Sequence, residues 1–151
     1  MNRFAARVLV SGALATISSA LAAVATSRLE NGHAARPLNA IAHIYDGGPP
    51  RAASGPRNRN TALGLALHTA ASLWWALLFE GVFGKRARRS VASAATSGAA
   101  VSATAYVVDY YVVSPRFRPG FEAYLSSRAM LAVYSALALG FAIAASATRR
   151  R

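Results

Sequence analysis

Four long stretches with almost no charged residue divide this 151-residue chain. A helix that crosses about 30 Å of hydrocarbon needs roughly 20 mainly apolar residues. Each stretch is long enough, and a water-soluble domain of this size could not hide four such helices from solvent. We therefore predict an all-α integral membrane four-helix bundle, a single transmembrane domain over residues 1–151. Its predicted spans are residues 8–26, 61–84, 91–113 and 129–148.

The composition agrees with a chain that lies mostly in a bilayer, because 54% of its residues are hydrophobic and only 15% are charged. A net charge of +12 would indicate a nucleic-acid partner in a soluble protein. Here the arginines lie at the span ends, where they contact lipid headgroups. We expect the lipid bilayer as partner, together with a homo-oligomer or another membrane protein, and no nucleic acid or cofactor. The absence of cysteine excludes disulfides and thiolate sites.

Four spans place both termini on the same side as the basic turn at residues 85–89. That side carries nine Lys and Arg residues and the opposite side carries eight. Several of the eight lie in the longer first loop, where charge has less influence on orientation. We therefore predict that both termini are cytoplasmic, in the inner membrane of a bacterium. The first apolar run, behind Arg3 and Arg7, is longer than that of a cleaved signal peptide, so we expect it to be retained.

Residues 27–60 form the longest connection and contain a candidate short helix at residues 37–46. At about 100° per residue, Asn39, His43 and Asp46 fall within roughly 60° of one another. We predict an amphipathic helix that lies at the membrane surface or dips into the bundle. Either its polar face simply meets water, or the His43 and Asp46 pair faces a site inside the bundle.

Capping and turn residues predict where the spans begin and end. They are Asn60 or Thr61 before span two, Ser114–Pro115 after span three, Pro119–Gly120 in the next turn, and Ser126 or Ser127 before span four. Small residues also recur at four-residue spacing in three spans, which favours close helix packing in lipid. They are Gly12, Thr16 and Ala20, then Ala94, Gly98 and Ser102, then Ala132, Ala136, Gly140 and Ala144.

His68 lies about two turns into span two, and the helical period places Ser72, Trp75 and Phe79 on the same stripe. A histidine within a span commonly marks a functional site that faces the protein interior. It can equally be a neutral imidazole that forms a hydrogen bond to another helix. The sequence leaves both interpretations open.

Two acids fall near the ends of spans, where an unpaired carboxylate is costly. For Asp109, one turn before the end of span three, we predict an ion pair that tethers the last loop. Its candidate partners are Arg116, Arg118 and Arg128. For Glu80, near the end of span two, we predict a pair at the inner interface. Its candidate partners are Lys85, Arg86 and Arg88.

One set of polar residues is expected to lie toward the same side of the membrane. The candidate polar cluster is Asn39, His43, Asp46, His68, Asp109 and Glu122. Two histidines with carboxylates can bind Zn²⁺ or Mn²⁺, although these residues come from separate segments and lack a dense motif such as HExxH. No catalytic triad order or nucleotide-binding fingerprint is visible, so no catalytic residue is assigned.

A combination of short motifs resembles a known group of proteins. Pro37-Leu-Asn-Ala with His43, followed by Asp109-Tyr, Ser114-Pro-Arg and Pro119-Gly-Phe-Glu122, resembles small four-span bacterial inner-membrane proteins of unknown function. The resemblance implies a helical membrane bundle and no established activity.

Three functions are consistent with these patterns. The first is a non-enzymatic structural, accessory or partner-binding bundle. The second is a small oligomeric transporter or ion-conducting protein. A polar cavity that joins His68, Glu80 and Asp109 would favour this function. The third is a metal-dependent membrane enzyme that acts on a lipid-linked substrate.

Overall fold

The computed structural model describes residues 2–50 and 58–149, and these residues form helices and turns without any strand. The α-helices are, in chain order, α1 (Arg3–Asn31), α2 (Arg36–Ile41), α3 (His43–Asp46), α4 (Asn58–Leu78), α5 (Gly84–Ala87), α6 (Val91–Val107) and α7 (Ser127–Ala147). π-Helical turns follow α4 and α6, over Phe79–Phe83 and Val108–Val112. Short 3₁₀ turns in the last loop cover Pro115–Phe117 and Phe121–Ala123.

The predicted all-α bundle and its four spans are confirmed. Four helical segments in the described residues are long and apolar enough to cross a membrane, and the chain is a multi-pass membrane protein. They cover Arg3–Asn31, Arg59–Ala87, Val91–Val112 and Ser127–Ala147. The first has 29 residues, or about 43 Å of helix, which is longer than the hydrocarbon is thick.

Two of the predicted span ends are confirmed. The Ser126 side chain caps α7 by accepting a hydrogen bond from the Ala129 amide at 3.2 Å. Ser114 is extended before Pro115, and Gly120 turns the chain with φ of 82°. This left-handed conformation is the one that glycine adopts without steric cost.

The predicted capping of α4 by Asn60 or Thr61 is wrong, because the helix already begins at Asn58. Both residues lie inside the first turns and serve tertiary contacts. Asn60 is buried, and the Thr61 hydroxyl donates to Asn39 Oδ1 at 2.5 Å.

The connection between spans one and two does not form one surface helix. Its two short helices, α2 and α3, meet at Ala42, and the residues of α2 after Arg36 are buried. A Cβ atom added to Gly64 of α4 would lie 1.8 Å from the Leu38 carbonyl oxygen, so the two backbones touch. Of the two interpretations of the polar face, contact with water is therefore wrong for Asn39 and His43, which are buried, and right for Asp46, which is exposed.

Glycines mark the closest helix crossings, as the small-residue spacing predicts. A Cβ atom at Gly140 of α7 would lie 2.6 Å from the Ala15 Cα atom of α1. A Cβ atom at Gly98 of α6 would lie 2.4 Å from the Ala138 carbonyl oxygen of α7. Because lipid supplies no hydrophobic force between helices, this close van der Waals packing holds the bundle together.

The spans are arranged so that α1 packs between α4 and α7, while α6 packs on the other side of α7. The second and third spans touch each other mainly near α5, close to the turn that joins them. In the half of the bundle that contains Glu80, Phe79 and Phe141 stack with ring centroids 4.9 Å apart, and both are fully buried. In the other half α4 and α6 separate, and α2 and Phe121 pack there instead. This separation leaves room for a cavity.

Candidate functional site

Glu80 and Asp109 both lie within membrane-spanning helices, and each is on a π-helical turn. In the second of these turns, the Val113 amide donates to the Val108 carbonyl five residues back, at 2.9 Å. A π turn fits one extra residue into the helix and changes the direction of the side chains that follow. Such turns are frequent at functional sites, which makes the partners of both acids informative.

Both carboxylate oxygens of Glu80 have a hydrogen-bond partner within the protein. Its side chain is 1% exposed and pairs with Arg88 through Oε2, while Ser11 donates to Oε1 at 2.6 Å. The Arg7 Nε atom lies 3.9 Å from Oε2. Arg88 also donates to the Thr148 hydroxyl at 3.3 Å, which links this group to the end of α7.

The predicted ion pair of Glu80 is therefore confirmed, with Arg88 as the partner. The same contacts bring the N-terminal helix, the turn after α5 and the C-terminal end of α7 to one end of the bundle. The carboxylate lies beside two guanidinium groups, and each of its oxygens is paired within the protein. We interpret it as a structural clamp.

Asp109 is bound differently from the prediction. The Tyr134 hydroxyl of α7 donates to Asp109 Oδ2 at 2.7 Å. No arginine nitrogen in residues 2–50 or 58–149 lies within 4.0 Å of its carboxylate, so the predicted pair with Arg116, Arg118 or Arg128 is wrong. Arg116 instead lies over the Phe117 ring. The π turn presents Asp109 to Tyr134 of α7, whereas Arg116 and Arg118 lie in the following loop and Arg128 lies in the first turn of α7.

The tether that was expected of Asp109 comes from the end of α1. Glu30 accepts hydrogen bonds from the amide and the hydroxyl of Ser126, the first of them at 3.0 Å. Asn31 donates to the Tyr124 carbonyl at 2.8 Å. These contacts connect residues more than 90 positions apart, so spacing in the sequence did not indicate them.

His68 forms a hydrogen bond to Ser19 of α1, with 2.9 Å between Nε2 and the Ser19 hydroxyl oxygen. The Ser19 hydroxyl has one proton, and the Ala15 carbonyl lies 2.7 Å from its oxygen, in position to accept it. We therefore assign the proton of the His68–Ser19 bond to Nε2. Nδ1 then keeps a free lone pair, since it has no hydrogen-bond partner in the described part of the chain.

A cavity of about 160 Å³ lies between His68 and Asp109. His68, Ser72 and Trp75 of α4 border it, as the predicted stripe implies, while Phe79 of that stripe belongs to the inner core. Asp109, Tyr134 and Ser19 contribute from the other three spans. The connections between spans one and two and between spans three and four close it with Ile41, Ile44, Phe117, Pro119 and Phe121.

The predicted polar cluster is only partly brought together. His68 and Asp109 share the cavity, whereas Asp46 is at the surface beside Arg59, 3.4 Å away. Asn39 is buried against Thr61, and Glu122 is exposed at a separate groove between α6 and α7.

His43 is also buried, and it is not among the residues that border the cavity. Its Nδ1 donates to the Ala40 carbonyl at 2.7 Å, a local bond within the connection between the first two spans. Across the described residues, no three His, Asp or Glu side chains come close enough to hold a metal ion.

Two residues of the cavity were missed from the sequence. Tyr134 lies in a small-residue helix, and Ser19 belongs to a run of serine and alanine, so neither drew attention as a partner. No protein-family profile, curated protein or solved structure matches this chain. The cavity therefore provides the evidence on function.

Proposed function

We propose that this multi-pass membrane protein is a non-enzymatic bundle that binds a small molecule in the cavity between His68 and Asp109. The observation that carries this proposal is the set of unused hydrogen-bonding groups around the cavity. Ser72 is 2% exposed, yet its hydroxyl has no partner within the described residues. Buried polar groups are nearly always hydrogen-bonded, so a cavity that keeps one free is suited to a ligand or to water.

The size and lining of the cavity support a ligand larger than water. An apolar protein cavity of about 150 Å³ can hold benzene, and this cavity is similar in volume. Most of its border is apolar or aromatic, with a few polar groups that converge from different spans. Small-molecule sites have this composition, because apolar walls supply contact and a few polar groups fix the orientation.

Binding is favoured over conduction through one chain. The Phe79–Phe141 stack fills the bundle between the cavity and the Glu80 clamp. Neither Phe79 nor Glu80 borders the cavity. A path to the inner end would therefore require this packed core and a buried ion pair to open.

The orientation and the setting belong to the same proposal. We place the termini and the Lys85–Arg89 turn in the cytoplasm, in a bacterial inner membrane, because basic residues near short loops favour that side. The composition rich in alanine and arginine is typical of bacteria with GC-rich genomes. The cavity then lies toward the outer side, beneath the loops that join the spans there.

The two tryptophans provide a test. Trp75 borders the cavity and is 8% exposed, whereas Trp74 is 58% exposed on the outside of the bundle. Trp74→Phe leaves a reporter in the cavity, and Trp75→Phe leaves a matched reporter outside it. Toluene, benzyl alcohol and benzylamine are titrated against both full-length variants in detergent.

We expect at least one of these probes to change the Trp75 emission in a saturable way and to leave the Trp74 emission unsaturated. A response that is the same for both reporters would show partition into detergent and contradict the proposal. So would the absence of a saturable response to all three probes.

A further inference from the structure

We infer that the ligand of this cavity is a small organic cation, of the protonated-amine class, held by Asp109 and His68. This inference rests on the proposed function, and it names the ligand's chemistry from the hydrogen-bonding and charge pattern of the same site. Four features of the cavity support it.

Two of the polar side chains that border the cavity have an acceptor atom without a partner. Asp109 Oδ2 receives the Tyr134 hydroxyl, and Oδ1 has no hydrogen-bond partner within the described residues. His68 uses Nε2–H toward Ser19, which leaves the Nδ1 lone pair. A protonated amine supplies only donors, so it matches both groups, and the Ser72 hydroxyl adapts to either role.

The charge of the site points the same way. Asp109 is partly buried within a membrane span, and no Lys or Arg nitrogen of the described chain lies within 4.0 Å of it. Glu80, at the other π turn, has two arginines beside it. A carboxylate in a membrane span is costly unless it is paired or hydrated. A bound cation would provide the missing partner.

Aromatic rings form part of the cavity wall. Trp75, Phe117, Phe121 and Tyr134 all border it, and the Phe121 ring meets His68 edge-on at 6.0 Å. Cations are attracted to the faces of aromatic rings, most strongly where water is excluded. The walls would therefore favour a cation with alkyl or aryl substituents over a small hydrated metal ion.

The volume and the single acid limit the ligand further. About 160 Å³ admits one ring or a compact branched group. One carboxylate balances one positive charge, so a singly charged amine is expected and a polyamine is disfavoured. Benzylamine meets both conditions, and benzyl alcohol and toluene have nearly the same shape without the charge.

The experiment uses full-length protein that carries Trp74→Phe, with Trp75 as the reporter. We expect benzylamine to bind at least about tenfold more tightly than benzyl alcohol, because hydrogen bonds to charged groups are the stronger ones. Toluene should bind more weakly still. Adding Asp109→Asn should remove the preference for benzylamine and leave the binding of toluene unchanged, which also shows that the cavity is intact.

Asp46→Asn is the matched control, since it makes the same change at a surface acid paired with Arg59. It should leave the preference unaltered. Equal affinity for benzylamine and benzyl alcohol would overturn the inference and leave the binding proposal standing. Retention of the preference in Asp109→Asn would also overturn it. If that variant does not fold, the order of the three probes in the parent protein decides the question.

Discussion

The Tyr134 hydroxyl donates a hydrogen bond to Asp109 Oδ2 at 2.7 Å, from a helix whose other side chains after Arg128 are small or apolar. This bond joins α7 to the π turn that ends the third span. It holds one carboxylate oxygen at the edge of the cavity and leaves the other unpaired. The hydrogen bond therefore positions the carboxylate on which the proposed ligand binding depends.

Tyr134→Phe should lower the stability of the protein. Removing the hydroxyl leaves Asp109 without its donor, and an unsatisfied buried polar group costs about 1–3 kcal/mol. Thermal unfolding in detergent measures the effect, with the exposed Tyr111→Phe as control. Combining Tyr134→Phe with Asp109→Asn should destabilise less than the sum of the two single changes. Additive effects would show that the two residues do not interact.

The Glu80 clamp should be essential for stability. Arg88→Ala leaves a carboxylate buried in the bundle with its closest partner removed. Breaking a buried ion pair by removing one partner costs about 3–5 kcal/mol. Arg86→Ala, at an exposed neighbour in the same turn, is the control and should have little effect. Equal unfolding temperatures for the two variants would contradict the role of the clamp.

Replacing Gly98, where α6 and α7 pack closely, should lower the stability of the protein. In Gly98→Ala the new Cβ would lie 2.4 Å from the Ala138 carbonyl oxygen, so α6 and α7 must move apart. Overpacking of this kind costs about 1–3 kcal/mol. Gly81→Ala is the control, because no atom lies within 4 Å of a Cβ there. A control variant that unfolds as early as Gly98→Ala would refute this packing account.

The orientation can be tested with reporter fusions. A reporter after Gly48 should lie on the opposite side of the membrane from a reporter at the C-terminus, with the C-terminus cytoplasmic. A third fusion in the turn at residues 85–89 should agree with the C-terminal one, because Arg88 contacts Thr148 at the end of α7. Agreement between all three would mean that the number of crossings is wrong.

The sequence predicted what depends on local pattern. The spans follow from runs of apolar residues, and the Glu80–Arg88 pair joins residues eight positions apart. The cap at Ser126 and the turn at Gly120 also follow from residue type. In each of these cases the partner or the conformation is set within two or three helical turns.

The cavity contacts could not be read in the same way. His68 and Ser19 are 49 positions apart, and Asp109 and Tyr134 are 25 apart on different helices. The apolar pattern does not show the π turn that presents Asp109 to α7. The arginines that follow Asp109 in the sequence were predicted as its partners, but none of them lies within 4.0 Å of its carboxylate.

Ser72→Leu gives the most direct test of the cavity as a binding site, since leucine at this position fills the space that the ligand would occupy. Thermal unfolding of the full-length protein is measured with and without benzylamine, in the natural sequence and in this variant. A ligand at a hundred times its Kd stabilises a folded protein by about 2.7 kcal/mol. We predict that benzylamine raises the unfolding temperature of the natural sequence and not of Ser72→Leu, whose own unfolding temperature is unchanged or higher. No rise in the natural sequence, or an equal rise in both proteins, would contradict binding in this cavity.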